Sequence, residues 1–162
     1  MVVSSQFAWA WLKDRPWRKA ALAGLGGFAA IALLAAVRDM TELGLLMPPF
    51  GASCVLAFGF HSSPFAQPKR LIGGHLIAAM AGLLSASMFG YGLLGASIGV
   101  GLAIAAMMLT DTVHPPAGAN PIVVALTQPG VSFLVVPVLL GATLIVTVSR
   151  IYAAGVARIE RR

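Results

Sequence analysis

Apolar residues occupy this chain in long blocks, separated by short polar or basic segments. Four blocks contain no Asp, Glu, Lys or Arg, and they cover residues 20–37, 71–89, 93–109 and 131–149. A transmembrane helix needs about 20 predominantly apolar residues. The pattern therefore predicts about four full-length transmembrane helices.

Two further apolar stretches are interrupted by proline. Aligned without gaps, residues 48–53 and 115–120 both read Pro-Pro-x-Gly-Ala followed by Ser or Asn. Proline is favoured in the first turn of a helix, where its missing N–H is not needed. We predict an extended approach to each motif, followed by a half-length helix over about 49–60 and about 116–126.

The matched interruptions suggest an internal repeat. Residues 20–89 would form a unit of helix, broken pass and helix, and residues 92–149 would repeat it upside down, as in many transporters. The predicted fold is an all-α membrane protein in which four full helices and two broken passes with half-helices form an inverted 3+3 repeat. The alternative is that the echo is a coincidence, because the chain has 18 glycines and 10 prolines.

The amino-acid composition also indicates an integral membrane protein. Hydrophobic residues are 59% of the chain and charged residues 10%, against roughly 25% charged residues in soluble domains. We predict an interfacial segment over residues 1–19, where a short amphipathic helix is plausible, a single transmembrane domain over 20–149 and a basic tail over 150–162. The single cysteine, Cys54, excludes an internal disulfide and is expected to be a buried apolar residue.

The net charge of +6 does not indicate nucleic-acid binding, because the basic residues cluster at the ends of apolar blocks. If the broken passes cross the membrane, ten of the eleven Lys and Arg residues lie on one side, with Arg38 opposite. If they are re-entrant hairpins, Lys69 and Arg70 move to the far side. The positive-inside rule favours crossing, with both termini cytoplasmic, in a bacterial inner membrane.

The two predicted half-helix starts are the candidate binding site. First-turn amides lack an internal partner and carry the positive end of the helix dipole, which favours an anion. The small residues Gly51, Ala52, Gly118 and Ala119 would let a small ligand reach the backbone. Ser53 and Asn120 would add side-chain donors, and His75 and His114 would assist.

Each of these polar residues has a structural alternative. Ser53 and Asn120 could cap or bridge local backbone, His114 could hold its loop, and His75 could pack inside its helix. Asp111 is expected near the cytoplasmic mouth, paired with Lys69 or Arg70. Polar groups within a membrane are costly and usually functional, which favours a role for His114.

Several chemistries are not expected. Three separated histidines without a neighbouring cysteine or glutamate do not form a metal motif, and no cofactor site is visible. The chain shows no Ser-His-Asp arrangement and no phosphate loop, so we do not expect an enzyme. The predicted spans contain no carboxylate, which argues against a proton pump.

Four motifs in order resemble the HPP family of integral membrane proteins. They are residues 49–53 (Pro-Phe-Gly-Ala-Ser), 63–68 (Ser-Pro-Phe-Ala-Gln-Pro), 73–75 (Gly-Gly-His) and 114–119 (His-Pro-Pro-Ala-Gly-Ala). Members of this family in cyanobacteria and chloroplasts are implicated in nitrite transport. The resemblance implies passage of a small inorganic anion, most simply nitrite.

Two alternatives remain open. One is a channel for small neutral solutes or weak acids, and the other is a membrane sensor or enzyme that uses His75 and His114. Glycine-rich helix faces, such as Gly95-x-x-x-Gly99, suggest a homo-oligomer.

Overall fold

The computed structural model of the protein describes residues 16–41 and 43–160, and all regular elements in these ranges are helical. The predicted all-α class is therefore confirmed. The α-helices are α1 (Trp17–Thr41), α2 (Pro48–Cys54), α3 (Pro68–Phe89), α4 (Leu93–Leu109), α5 (Asn120–Thr127) and α6 (Leu140–Glu160). Most of the predicted interfacial segment lies outside the described residues, and its residues 17–19 form the first turn of α1.

Shorter helical turns connect these elements. A π-helical turn over Val55–Gly59 continues α2, and 3₁₀ turns over Pro64–Ala66 and Pro115–Ala119 precede α3 and α5. The last predicted span is irregular at its start, where a 3₁₀ turn (Val131–Leu134) and a π-helical turn (Val135–Leu139) lead into α6. Val136 is non-helical, with φ −128° and ψ 120°.

Both broken passes have the predicted form. Met47, before α2, and His114, before the second 3₁₀ turn, are extended, with φ of −137° and −133°. In each case a proline pair opens the helix that follows. The first half-helix covers Pro48–Gly59, and the second covers residues 115–127. The fixed φ of proline explains why the backbone turns helical at these points.

Three described helical segments are long and apolar enough to cross a membrane: Trp17–Thr41, Pro68–Phe89 and Val131–Ile159. The fourth predicted span, α4, has 17 residues, about 25 Å at 1.5 Å per residue. This is less than the roughly 30 Å of the hydrocarbon core. The number of spanning helices and the inverted repeat therefore remain predictions.

Helix α3 is the centre of the bundle, with α4, α5, α6 and the second 3₁₀ turn packed around it. Its glycines permit this close packing. A Cβ at Gly74 would lie 2.7 Å from the Cβ of His114 and from the Thr112 carbonyl oxygen, and one at Gly82 would lie 2.7 Å from the Cα of Pro121. The Gly73-Gly74-His75 motif thus lets the second broken pass lie directly against α3.

The exterior of the bundle is strongly apolar. Phe28, Leu93 and Leu109 expose 72%, 86% and 88% of their surface, whereas Leu34, Phe50 and Ile145 are fully buried in the core. An exterior with this many exposed apolar side chains belongs in lipid. Together with the three long apolar helices, it supports an integral membrane location.

Candidate functional site

Ser53 is the meeting point of the two broken passes. Its hydroxyl oxygen lies 2.8 Å from Nε2 of His75 on α3 and 2.9 Å from Nε2 of His114, the residue before the second 3₁₀ turn. It also lies 3.1 Å from the Pro49 carbonyl oxygen, one turn back along α2. One hydroxyl therefore links three segments that are distant in sequence.

The other ring nitrogen of His75 contacts the second motif. Its Nδ1 lies 3.3 Å from Oδ1 of Asn120, whose Nδ2 donates to the His75 carbonyl oxygen at 2.9 Å. Ser53 and Asn120 occupy equivalent positions in the two Pro-Pro-x-Gly-Ala motifs. The two equivalent side chains thus bind opposite sides of one imidazole.

His114 is fixed at both nitrogens as well. Its Nδ1 lies 2.7 Å from the carbonyl oxygen of Phe65, in the 3₁₀ turn before α3. The rings of His75 and His114 approach edge to face with centroids 5.1 Å apart, and the Phe50 ring stands 5.2 Å from that of His75. Aromatic edges therefore enclose the polar atoms and restrict both imidazoles to one orientation.

The four side chains form what we call the histidine network: Ser53, His75, His114 and Asn120. All four residues are completely buried. Within the described residues, every buried side-chain nitrogen or oxygen lies within hydrogen-bonding distance of a partner atom. Burying polar groups without such partners would be costly in lipid, so the contacts explain how the bundle tolerates the network.

A charged cluster lies at the start of α3, outside the bundle. Asp111 accepts hydrogen bonds from Arg70 at 2.6 Å and from Lys69 at 3.3 Å, as the sequence predicted. The hydrogen bonds from Arg70 and Lys69 lower the pKa of Asp111. His75 follows Pro68 by seven residues, so the network lies about 10 Å along α3 from this charged end.

The four small residues of the predicted site are less buried than the histidine network. Gly51 and Ala52 are exposed, and Gly51 lines an apolar groove of about 570 Å³ against α1. On a helix, residues two apart point to nearly opposite sides, so Gly51 cannot share the face of Ser53. Gly118 and Ala119 are half-buried, and a Cβ at Gly118 would meet no atom within 4 Å. Ligand contact by all four backbones stays a prediction.

Two contributors were not identified from the sequence. The Phe65 carbonyl orients His114, but a backbone atom leaves no residue-type signal. Phe65 lies in the Ser-Pro-Phe-Ala-Gln-Pro motif, to which the sequence alone assigned no function. Phe50, inside the first Pro-Pro motif, packs its ring against His75, and its position in a conspicuous motif was the available signal.

No set of three or more His, Cys, Asp or Glu side chains in the described part of the chain is arranged to hold a metal ion. Cys54 is buried and unpaired with any other cysteine, as predicted. What the network offers is a set of neutral donors and acceptors, two of which are imidazoles that can each take a proton.

Comparison with known proteins agrees with the motifs. A family model described as the HPP transmembrane region matches residues 13–160. A transmembrane protein of Dictyostelium discoideum is 32% identical over 130 residues, which covers 73% of this chain and 46% of the relative. A second from the same organism is 30% identical over 146 residues, covering 85% of this chain and 44% of the relative.

The chain spans less than half the length of these two curated relatives, and no solved structure matches it. The family match nevertheless covers nearly the whole sequence and includes all four motifs and the histidine network. The protein belongs to the HPP family of integral membrane proteins.

Proposed function

We propose that the protein moves a small inorganic anion, most simply nitrite, across the membrane at the point where its two broken passes meet. The observation that carries this proposal is the histidine network itself. Four polar side chains from separate segments converge in a fully buried position between apolar helices. Polar and ionisable residues in a membrane core are costly to keep and commonly mark a transport pathway.

The ligand class follows from the chemistry of the site. Hydroxyl, imidazole and carboxamide groups can all donate hydrogen bonds to an oxyanion. Two half-helices that begin beside these groups add partial positive charge at their first turns. The residues nearest the second start are small, which suits a ligand of a few atoms. The lines of support therefore converge on a small oxygen-containing anion.

A second candidate is a channel for small neutral solutes or weak acids. It is favoured by the absence of a permanently charged side chain from the histidine network. Arg70 and Lys69 are instead paired with Asp111 at the end of α3. Transport by this candidate would follow the concentration of the uncharged solute and would not be inhibited competitively by nitrate.

Reconstituted vesicles test the proposal directly. Uptake of isotope-labelled nitrite should be saturable, and Asn120→Leu and Gly118→Val should each reduce it at least tenfold. Gly118 has open space around it, so a valine there should block a pathway without disturbing packing. His61→Gln is the matched control, because His61 is exposed on the connecting loop. Uptake that survives both site substitutions would contradict the proposal.

The setting of the transporter is proposed with it. We place both termini in the cytoplasm and the chain in a bacterial inner membrane, with the inverted repeat relating the two broken passes. Gly95 and Gly99 pack inside the bundle, whereas Ser97 and Gly101 on the same helix are exposed. That exposed small-residue face suits contact with a second copy in a homo-oligomer.

A further inference from the structure

The histidine network contains fewer protons than its hydrogen bonds require. Four contacts link it in series: Phe65 O to His114 Nδ1, His114 Nε2 to Ser53 Oγ, Ser53 Oγ to His75 Nε2, and His75 Nδ1 to Asn120 Oδ1. Each contact needs one hydrogen between its two atoms. With both histidines neutral, the rings supply one each and the serine hydroxyl supplies one. Three protons serve four contacts.

No choice of tautomer removes the deficit. The Phe65 carbonyl can only accept, so the proton of a neutral His114 belongs on Nδ1. The Asn120 carboxamide is oriented by its bond from Nδ2 to the His75 carbonyl, so its Oδ1 faces His75 Nδ1, which must donate. Both Nε2 atoms are then acceptors, and Ser53 has one proton to give them. Its third contact, to the Pro49 carbonyl at 3.1 Å, only increases the demand.

One added proton completes the series. If one imidazole is protonated at Nε2, it donates to the Ser53 oxygen, and the serine proton is donated to the other imidazole. All four contacts of the series are then hydrogen bonds of the correct polarity, while the Pro49 carbonyl, 3.1 Å from the serine oxygen, receives no proton from it. The proton can sit on either ring, and the two arrangements exchange when the serine oxygen takes the proton from one Nε2 while its own proton passes to the other Nε2. The geometry is therefore that of two imidazoles that share one extra proton through a serine hydroxyl.

The completed network carries one positive charge, and burying that charge inside the bundle is energetically unfavourable. Among the described residues that contact the two rings, none carries a full charge that would offset it. Ser53, Phe50 and Pro49 face them from α2, Asn120 from the start of α5, and the Phe65 carbonyl from the 3₁₀ turn. Cys54, the next residue to Ser53, lies instead in the groove against α1. The charged cluster around Asp111 is exposed at the end of α3.

We propose that the serine-bridged histidine pair takes up one proton together with each anion that binds, so that anion movement is coupled to proton movement in a ratio of one to one. The proton offsets the cost of burying the anion, and the anion offsets the cost of burying the imidazolium. Each therefore increases the affinity for the other by the same factor. This inference rests on the proposed function and specifies how that site would work.

The protonation state can be measured without any variant. Protein labelled with ¹⁵N at histidine and held in lipid bilayers at neutral pH should show both buried rings as neutral Nδ1–H tautomers. Addition of sodium nitrite should convert one ring per chain to imidazolium signal, shared between the two residues. His61→Gln removes the signal of the exposed histidine and simplifies assignment. Two neutral rings at saturating nitrite would overturn the inference.

Proton uptake gives a second readout. In weakly buffered solution with a pH indicator, nitrite added to the protein in nanodiscs should remove about one proton per bound anion. Ser53→Ala breaks the bridge and should abolish this uptake, while Ser53→Thr keeps the hydroxyl and should retain it. Ser85→Ala is the matched control, because Ser85 is an equally buried serine whose hydroxyl bonds a backbone carbonyl.

The outcomes separate the two proposals. Protein-dependent nitrite transport in which the protein binds no proton with the anion would refute the coupling. It would leave the proposal of anion transport standing. Absence of protein-dependent nitrite transport would refute both. Proton uptake that persists undiminished in a folded Ser53→Ala protein would refute the serine bridge, even if transport is coupled by another route.

Discussion

His75 is the residue on which the two broken passes depend most directly. Its Nε2 faces Ser53 from the first motif and its Nδ1 faces Asn120 from the second. Gly74, immediately before it, removes the side chain that would separate His114 from α3. A single turn of α3 therefore supplies both the polar partner and the space that bring the two motifs together.

Loss of the Ser53 hydroxyl should also weaken the fold. In Ser53→Ala both Nε2 atoms would lose their partner, and a buried unsatisfied polar group costs about 1–3 kcal/mol. Ser85→Ala should cost less, because the acceptor it loses is a backbone carbonyl with a second lone pair. Thermal unfolding in detergent should therefore rank wild type above Ser85→Ala and Ser85→Ala above Ser53→Ala. Equal unfolding temperatures for the two variants would show that the bridge does not stabilise the bundle.

At this scale the sequence identified the four polar residues that come together but not how they meet. Ser53 and Asn120 were singled out as side-chain donors at the two half-helix starts, and the cost of ionisable groups in lipid favoured His114, with His75 named beside it. Nothing in the sequence spacing shows that one hydroxyl lies between two imidazoles, because that depends on helix packing angles. The sequence placed Gly51 and Ala52 in the same site as Ser53. Because α2 begins at Pro48 and is helical through these residues, Gly51 points away from the face that carries Ser53.

Among the elements, α3 provides the surface against which the second broken pass packs. Gly74→Ala would bring a Cβ within 2.7 Å of the Thr112 carbonyl oxygen and of the His114 Cβ. Backbone and Cβ atoms cannot swing aside, so we expect a loss of about 1–3 kcal/mol from overpacking, accompanied by reduced anion transport. The measurements are unfolding temperature and vesicle uptake on the same preparation.

Gly155→Ala is the control for that substitution. Gly155 is exposed inside α6, and a Cβ there meets no atom within 4 Å. Helix propensity alone would make this change neutral or slightly stabilising. If Gly74→Ala were as stable and active as Gly155→Ala, the second broken pass would not need its close approach to α3.

The ion pairs of Asp111 predict a pH effect with a defined sign. The hydrogen bonds from Arg70 and Lys69 lower the pKa of Asp111 in the folded protein. A lowered pKa stabilises the fold above the unfolded-state pKa of about 3.9, and this contribution is lost as pH falls through the folded-state value. Asp111→Asn should therefore reduce the fall in unfolding temperature on acidification. The effect should be small and salt-sensitive because the carboxylate is exposed.

Element boundaries were largely predictable because proline, glycine and charge mark them. Leu93–Leu109 is found as predicted, and both half-helices begin at their proline pairs. The irregular start of the last span was missed, although Pro137 lies inside it. The prediction of that span took no account of Pro137, and the backbone leaves helical geometry one residue earlier, at Val136.

For the whole molecule, the apolar exterior and the positions of the broken passes are observed, while their direction across the bilayer is inferred from charge. Crossing and re-entrant arrangements differ in where two loops lie. If the passes cross, His61 is cytoplasmic and Tyr91 is external. If they are re-entrant, these two positions exchange sides. Gln128 is external and Arg158 cytoplasmic in both arrangements, so they serve as internal controls.

Single cysteines at these four exposed positions would decide between the arrangements. Cys54 is first replaced by alanine, which is a small change at a buried site without a polar partner. A membrane-impermeant maleimide applied to intact cells should label Tyr91→Cys and Gln128→Cys, and should label His61→Cys and Arg158→Cys only after the membrane is opened. Labelling of His61→Cys in intact cells would contradict crossing. It would also place Lys69 and Arg70 outside, against the positive-inside rule, and would leave the two half-helices without the opposed directions that the proposed transport site requires.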